Sequence, residues 1–109
     1  MIKDDLLAEA EILTEPVKFR GHEICVKTVF GERANEFRTY CRNNDLNSNE
    51  DAQAMLIAMS CYVDDEPIFS PEDVPTIKQH WSDAEQTKLM NVVIKVGNGV
   101  ILDEDEKKE

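Results

Sequence analysis

The chain has 109 residues, 23 acidic and 12 basic, for a formal net charge of -11, and 41% of it is hydrophobic. That length suits one domain with a modest core. The acid excess argues against nucleic acid or anionic membrane as a direct partner, because both kinds of binding use clustered Lys and Arg to displace counterions.

Charge is also uneven along the chain. Residues 1–50 hold seven basic and ten acidic residues, whereas residues 51–109 hold five and thirteen. Residues 43–77 contain no Lys or Arg at all.

Taken from the N-terminus, Ile2, Leu6, Ala10 and Leu13 recur at helical spacing with Asp4, Asp5, Glu9 and Glu11 between them, which predicts a short amphipathic helix or arm that Glu15-Pro16 stops. Val17 to Arg20 alternates apolar and charged residues, and residues 23–30 are rich in β-branched and aromatic side chains. A tight turn at Gly21 would join the two as a hairpin over about residues 16–30, needing a helix against one face to be stable.

After Gly31, residues 32–43 place Ala34, Phe37, Tyr40 and Cys41 on one stripe, with Arg33, Arg38 and Arg42 opposite or flanking, as in an ordinary surface helix. A polar loop follows. Ser48 then precedes an apolar segment as an N-cap would, and ten of the twelve residues in 52–63 are apolar. The spacing predicts a buried helix over about residues 49–63, ended by Asp64-Asp65-Glu66-Pro67.

Ser70-Pro71 supplies a cap and a first turn, and Pro75 interrupts or restarts a short helix that runs to Trp81. Ser82-Asp83-Ala84-Glu85 fits a capping box, and the last helix carries Leu89, Val92, Val93 and Val96 on one face before Gly97-Asn98-Gly99. Val100-Ile101-Leu102, followed by acids and Lys107-Lys108, reads as an apolar patch on a disordered, charged tail over residues 100–109. The expected fold is therefore α+β, mostly α. It comprises four to five helices with a small N-terminal antiparallel β-hairpin, forming a single domain over residues 1–99.

No stretch carries a catalytic or metal signature. Asp64, Asp65 and Glu66 are consecutive, whereas a calcium loop needs alternate acids, a central Gly and a distal Glu. His22, Glu23 and Cys25 lie on a strand, where alternation separates neighbours onto opposite faces. Cys25, Cys41 and Cys61 are odd in number and widely spaced, so reduced, partly buried thiols are expected, with no disulfide, metal or cofactor.

No apolar run approaches the roughly 20 residues of a membrane span. Met1 to Asp5 also lacks the basic start of a signal peptide, so a cytosolic protein is expected. Met55, Met59 and Met90 read as core or as an adaptable partner groove, and Trp81 as a core corner or an exposed anchor.

The run from Ala54 to Val74 contains a small-residue apolar helix, Asp64-Asp65-Glu66, the aliphatic-Phe pair Ile68-Phe69 and the helix-opening Ser70-Pro71-Glu72-Asp73. It resembles the tail assembly chaperones of long-tailed, lambda-like bacteriophages and prophages. The likeness extends to the strand pair, to a helix containing Glu36-Phe37, and to a last helix ending near Asn98. In all it spans about three quarters of the chain. Related sequences often carry Gly after the acids, where this chain has Glu66-Pro67.

The resemblance implies a non-enzymatic protein of the host cytoplasm, absent from the mature virion. It would bind the tape measure protein, keep that protein's apolar helices soluble and help recruit tail tube protein. It also implies a longer product made by ribosomal frameshifting, for which Lys107-Lys108 could be encoded by a slippery adenine run.

Candidate partner-binding residues are Met55, Met59, Phe69, Trp81, Val100, Ile101 and Leu102, and self-association is a further possibility. The competing readings are an acidic inhibitor or DNA mimic, and a minor structural component such as a connector or tail terminator.

Overall fold

The computed structural model describes residues 1–9 and 11–98. In chain order these form α1 (Ile2–Leu7), β1 (Thr14–Phe19), β2 (His22–Lys27), α2 (Gly31–Asn43), α3 (Asn49–Ser60), β3 (Cys61–Val63), β4 (Glu66–Pro67), a short 3-10 helix (Pro71–Asp73), α4 (Val74–His80) and α5 (Asp83–Lys95). The architecture is α+β and mostly helical, with the hairpin near the N-terminus as the sequence leads one to expect. The expected tail over residues 100–109 lies outside the described residues, as does Ala10.

Arg20 and Gly21 form the two-residue loop of the first hairpin, with φ of 50° and 83°. Positive φ at both central positions is the type I′ geometry, whose twist matches that of the strands it joins. Thr14 pairs with Lys27 and Phe19 with His22. Just before β1, Leu13 extends the pairing: its N–H donates to the Thr28 hydroxyl, and its carbonyl accepts from the Thr28 N–H, both at 2.9 Å.

Two expectations are corrected. First, the N-terminal helix covers Ile2–Leu7 alone and buries nothing. Glu15-Pro16 does not stop a helix but lies inside β1. Proline is tolerated there because β1 is an edge strand of the sheet, and Pro67 occupies the other edge strand for the same reason.

Second, the central helix ends at Ser60 and not near Val63. The Ser60 hydroxyl donates to the Leu56 carbonyl at 2.7 Å, and Cys61 turns extended at φ -93°, ψ 131°. Cys61 then pairs with Val26 and Tyr62 with Cys25. Asp64 and Asp65, at φ 52° and 65°, make a second tight turn that returns Glu66 opposite Val63. The hairpin thereby grows into a four-stranded antiparallel sheet ordered β1-β2-β3-β4. The second turn is tied back to the first hairpin by an ion pair between Asp65 and Lys27.

The caps read from the sequence are formed. At α3 the Ser48 hydroxyl accepts from the Asp51 N–H at 3.1 Å, while the Asp51 carboxylate accepts from the Ser48 N–H at 3.2 Å. Ser82 and Glu85 make the same reciprocal box at α5. At the other end of α5, Gly97 takes φ 95°, its N–H donating to the Ile94 carbonyl at 2.9 Å and the Asn98 N–H to that of Val93 at 3.0 Å. This is the Schellman arrangement, which favours glycine at the left-handed position.

The core is organised around α3, which packs against α2, α4 and α5, while α5 also lies on β1 and β2. Ala54, Ile57 and Ala58 of α3 are fully buried, with Phe37 of α2, Ile77 of α4, Leu89 and Val93 of α5 and Val26 of β2 around them. The small side chains at Ala54 and Ala58 let the neighbouring helices approach closely. Asp51, 4% exposed, has the Lys78 ammonium of α4 at 2.8 Å. Burial pushes its carboxyl up, but Lys78 and the Ser48 donors together outweigh that and hold it below its ordinary value.

Candidate docking groove

Trp81 stands where α4 gives way to α5. Its backbone turns extended at φ -100°, ψ 139°, while its N–H still donates to the Ile77 carbonyl at 3.1 Å. The indole is thus held at a fixed corner. Its ring lies 4.6 Å from that of Phe19, the last residue of β1, and 5.7 Å edge-on from that of Phe69, which follows β4. Tilted and edge-on contacts of this kind are the favoured arrangements of aromatic pairs.

Phe19 is buried, but Phe69 and Trp81 are only partly so. Beside them lie Ile24, Val63 and Ile68, the last two 43% and 37% exposed. Together these six side chains line an open groove of about 410 Å³ with an apolar floor, and Arg20, His22 and Glu23 form its polar edge. Exposed apolar surface gathered into a concave patch is the usual mark of a partner-binding site, whereas singly scattered residues need no explanation.

Arg20 fixes one end of the groove. Its guanidinium lies 5.6 Å from the Phe19 ring centre and 5.9 Å from that of Trp81, and it donates to both carboxylate oxygens of Glu85. The Arg20 hydrogen bonds, together with the Ser82 N–H, hold the Glu85 carboxyl down to about 2.

Arg33 of α2 supports the other end. It donates from Nε to the Met59 carbonyl at 2.9 Å and from Nη2 to the Phe69 carbonyl at 3.3 Å, with its guanidinium 4.9 Å from the Phe37 ring centre and 5.4 Å from that of Tyr62. The sequence places Arg33 on a solvated face, but in the structure it is half-buried.

Of the residues singled out in the sequence, Phe69 and Trp81 meet in this groove. Met59 is 4% exposed and belongs to the core. Met55 lies elsewhere, in a second hollow of about 340 Å³ between α2 and α3. Val100, Ile101 and Leu102 fall outside the described residues. Sequence reasoning missed Phe19, Ile24, Val63 and Ile68, because the groove joins β1, β2, β3 and two loops that only the fold brings together.

The two buried thiols are held in their protonated form. Burial pushes the Cys61 thiol up to about 12, against a smaller opposing pull from Arg33, and burial likewise raises Cys41. Among the described residues, no cluster of three His, Cys, Asp or Glu could hold a metal ion. No helix among them is long and apolar enough to cross a membrane.

No family model matches the chain, and no curated protein matches its sequence. Among solved structures, that of the bacteriophage HK97 tail assembly chaperone aligns with a TM-score of 0.59 at 15% identity, over 87% of this chain and 91% of that one. At such low identity the likeness concerns the path of the backbone. The chain has the fold of that phage tail assembly chaperone.

Proposed function

We propose that this chain is a non-enzymatic tail assembly chaperone. In this reading it binds the tape measure protein, keeps it soluble while the tail tube assembles, acts in the cytoplasm of the bacterial host and stays out of the mature virion. The observation that carries the reading is the match of the fold, over 87% of the chain, to the HK97 tail assembly chaperone. The groove of Phe19, Ile24, Val63, Ile68, Phe69 and Trp81 supports it, because it suits the apolar face of an amphipathic helix. The net charge of -11 would repel like complexes from one another and so oppose co-aggregation. Tail tube protein is the second proposed partner, reached through a frameshifted longer form.

The positions of the acids weigh against a DNA mimic. A mimic needs its carboxylates displayed along a continuous face, whereas Asp51, Asp73 and Glu85 are engaged in helix caps and Asp65 pairs with Lys27. A particle component such as a connector is separated by mass spectrometry of purified virions, which should lack this chain.

The direct test is co-expression with the tape measure protein of the same genome. Soluble, co-purifying tape measure protein supports the chaperone reading. Tape measure protein that stays insoluble with this chain and with any frameshifted form contradicts it.

A further inference from the structure

An acidic hollow of about 470 Å³ adjoins the groove, and Ile68 and Phe69 line both. Beyond those two side chains it is walled by Glu36 of α2 and by Glu72 and Asp73 of the 3-10 helix, with Arg33 as the one cation in its lining. Arg33 is already engaged, donating to the Met59 and Phe69 carbonyls and lying over the Phe37 and Tyr62 rings. The loop and 3-10 helix come from residues 43–77, a stretch with no Lys or Arg of its own to answer these acids.

The opposite end of the groove repeats the pattern. Arg20 is neutralised there by Glu85, which leaves Glu23 as the unpaired carboxylate of that edge. Among the described residues none of Glu23, Glu36, Glu72 and Asp73 enters an ion pair, although Glu15, Asp51, Asp65 and Glu85 all do. Asp73 turns one oxygen to the Ser70 N–H at 2.9 Å, and this cap leaves its charge uncompensated.

We propose that the groove takes a helix whose apolar face is flanked by Lys or Arg, with that face on the groove floor and the cations passing Ile68 and Phe69 to meet Glu36, Glu72 and Asp73. The proposal rests on the docking reading above and names the chemistry of the partner. The apolar floor supplies contact to many sequences, whereas the carboxylates favour a basic flank and repel an acidic one. Among the described residues no three carboxylates, imidazoles or thiols gather closely enough to hold one metal ion, so these acids suit separate ammonium or guanidinium groups. The same charges turn away the exposed helix of another copy: α1 offers Ile2 and Leu6, each 75% exposed, but carries Asp4 and Asp5 beside them.

Trp81 is the only tryptophan of the chain, so its fluorescence reports on the groove alone. The probes are two synthetic helical peptides without Trp or Tyr, identical in a leucine face and flanked by Lys in one and by Glu in the other. The Lys-flanked peptide should shift the Trp81 emission and bind about tenfold more tightly than the Glu-flanked one, as two or three exposed charge pairs together allow. The preference should shrink as salt rises from about 0.05 to about 0.5 M.

Glu36→Lys with Glu72→Lys should reverse the preference, and Glu36→Gln with Glu72→Gln should reduce it without adding charge, each with the fold checked by thermal unfolding. Glu9→Lys with Glu11→Lys makes the same change in net charge on the exposed arm and should leave the preference as it is. Equal binding of the two peptides overturns the proposal, and so does a preference that the arm variant changes as much as the Glu36 and Glu72 variant, which would assign it to net charge. A Trp81 emission unmoved by either peptide, or one that shifts with protein concentration alone and so assigns the surface to a second copy, equally overturns it. None of these outcomes involves the tape measure protein, so the chaperone reading itself stands or falls separately, on co-expression.

Discussion

Arg20 grips Glu85 through two parallel hydrogen bonds, Nε to Oε2 at 2.7 Å and Nη2 to Oε1 at 2.8 Å, joining the tip of the first hairpin to the first turn of α5. The same guanidinium reaches the His80 carbonyl at 3.3 Å, so hairpin, α4 and α5 meet at one side chain. Trp81 is held between them.

This contact makes stability depend on acid in a defined window. Glu85 titrates at about 2 in the folded protein against an ordinary 4.5, so on acidification the unfolded chain takes up this proton first. The contribution of the pair is complete above about 4.5 and is lost as pH falls through about 2. The difference in urea midpoint between the parent chain and Glu85→Gln should follow that course. A difference that persists unchanged below the window would show that the glutamate acts through packing alone.

Arg33 should resist conservative replacement. A lysine has one ammonium where the guanidinium serves the Met59 and Phe69 carbonyls in one plane while lying over Phe37 and Tyr62. Arg33→Lys should cost about 1–3 kcal/mol in urea unfolding, from a part-buried carbonyl left without its donor. It should also loosen Phe69 in the groove, which hydrogen exchange at residues 68–70 would detect as faster exchange.

Asn98 ties the end of α5 to β2, to the loop that follows it and to α3. Its amide donates to the Lys27 carbonyl at 2.7 Å and to the Ser60 hydroxyl, and accepts from the Val29 N–H. Asn98→Ala leaves part-buried backbone groups unpaired, and should lower stability by about 1–3 kcal/mol in chemical denaturation. Asn98→Asp keeps the acceptor for Val29 but loses both donors, so it should not rescue.

The thiols should react in the order of their exposure. Cys25 is half-buried, whereas Cys41 and Cys61 are buried, and burial lifts both of their pKa values, that of Cys61 to about 12. Titration of the native protein with a disulfide reagent should modify Cys25 first and leave Cys61 until unfolding. Rapid labelling of Cys61 in the native protein would contradict its burial at the start of β3.

Legibility in the sequence followed the range of the interactions. Ser48 with Asp51 and Ser82 with Glu85 signal helix starts over four residues, and both caps form where the sequence places them. Cys61-Tyr62-Val63 reads as helix in the sequence yet forms β3, because a continuous apolar run looks the same in a buried helix and a buried strand. What decides it is pairing with Cys25 and Val26, some thirty-five residues away.

Helical spacing at Leu13 was overridden in the same way, by pairing with Thr28. Phe69 and Trp81 stood out as candidate partner-binding residues, but their neighbours Phe19, Ile24 and Val63 come from strands whose exposed ends no local pattern reveals. Arg33 was missed because a charged residue on a helix normally reads as solvated.

The proposed docking of an apolar face of the tape measure protein in the groove is tested by quantifying tape measure protein in the soluble, co-purified fraction. Val63 and Ile68, more exposed than the other apolar side chains of the lining, can be changed to Asp together without emptying the core, with the fold checked by thermal unfolding. The parent chain should keep the tape measure protein soluble, and a folded Val63→Asp, Ile68→Asp variant should lose most of it. Equal recovery with the folded variant would contradict the assignment of binding to this groove.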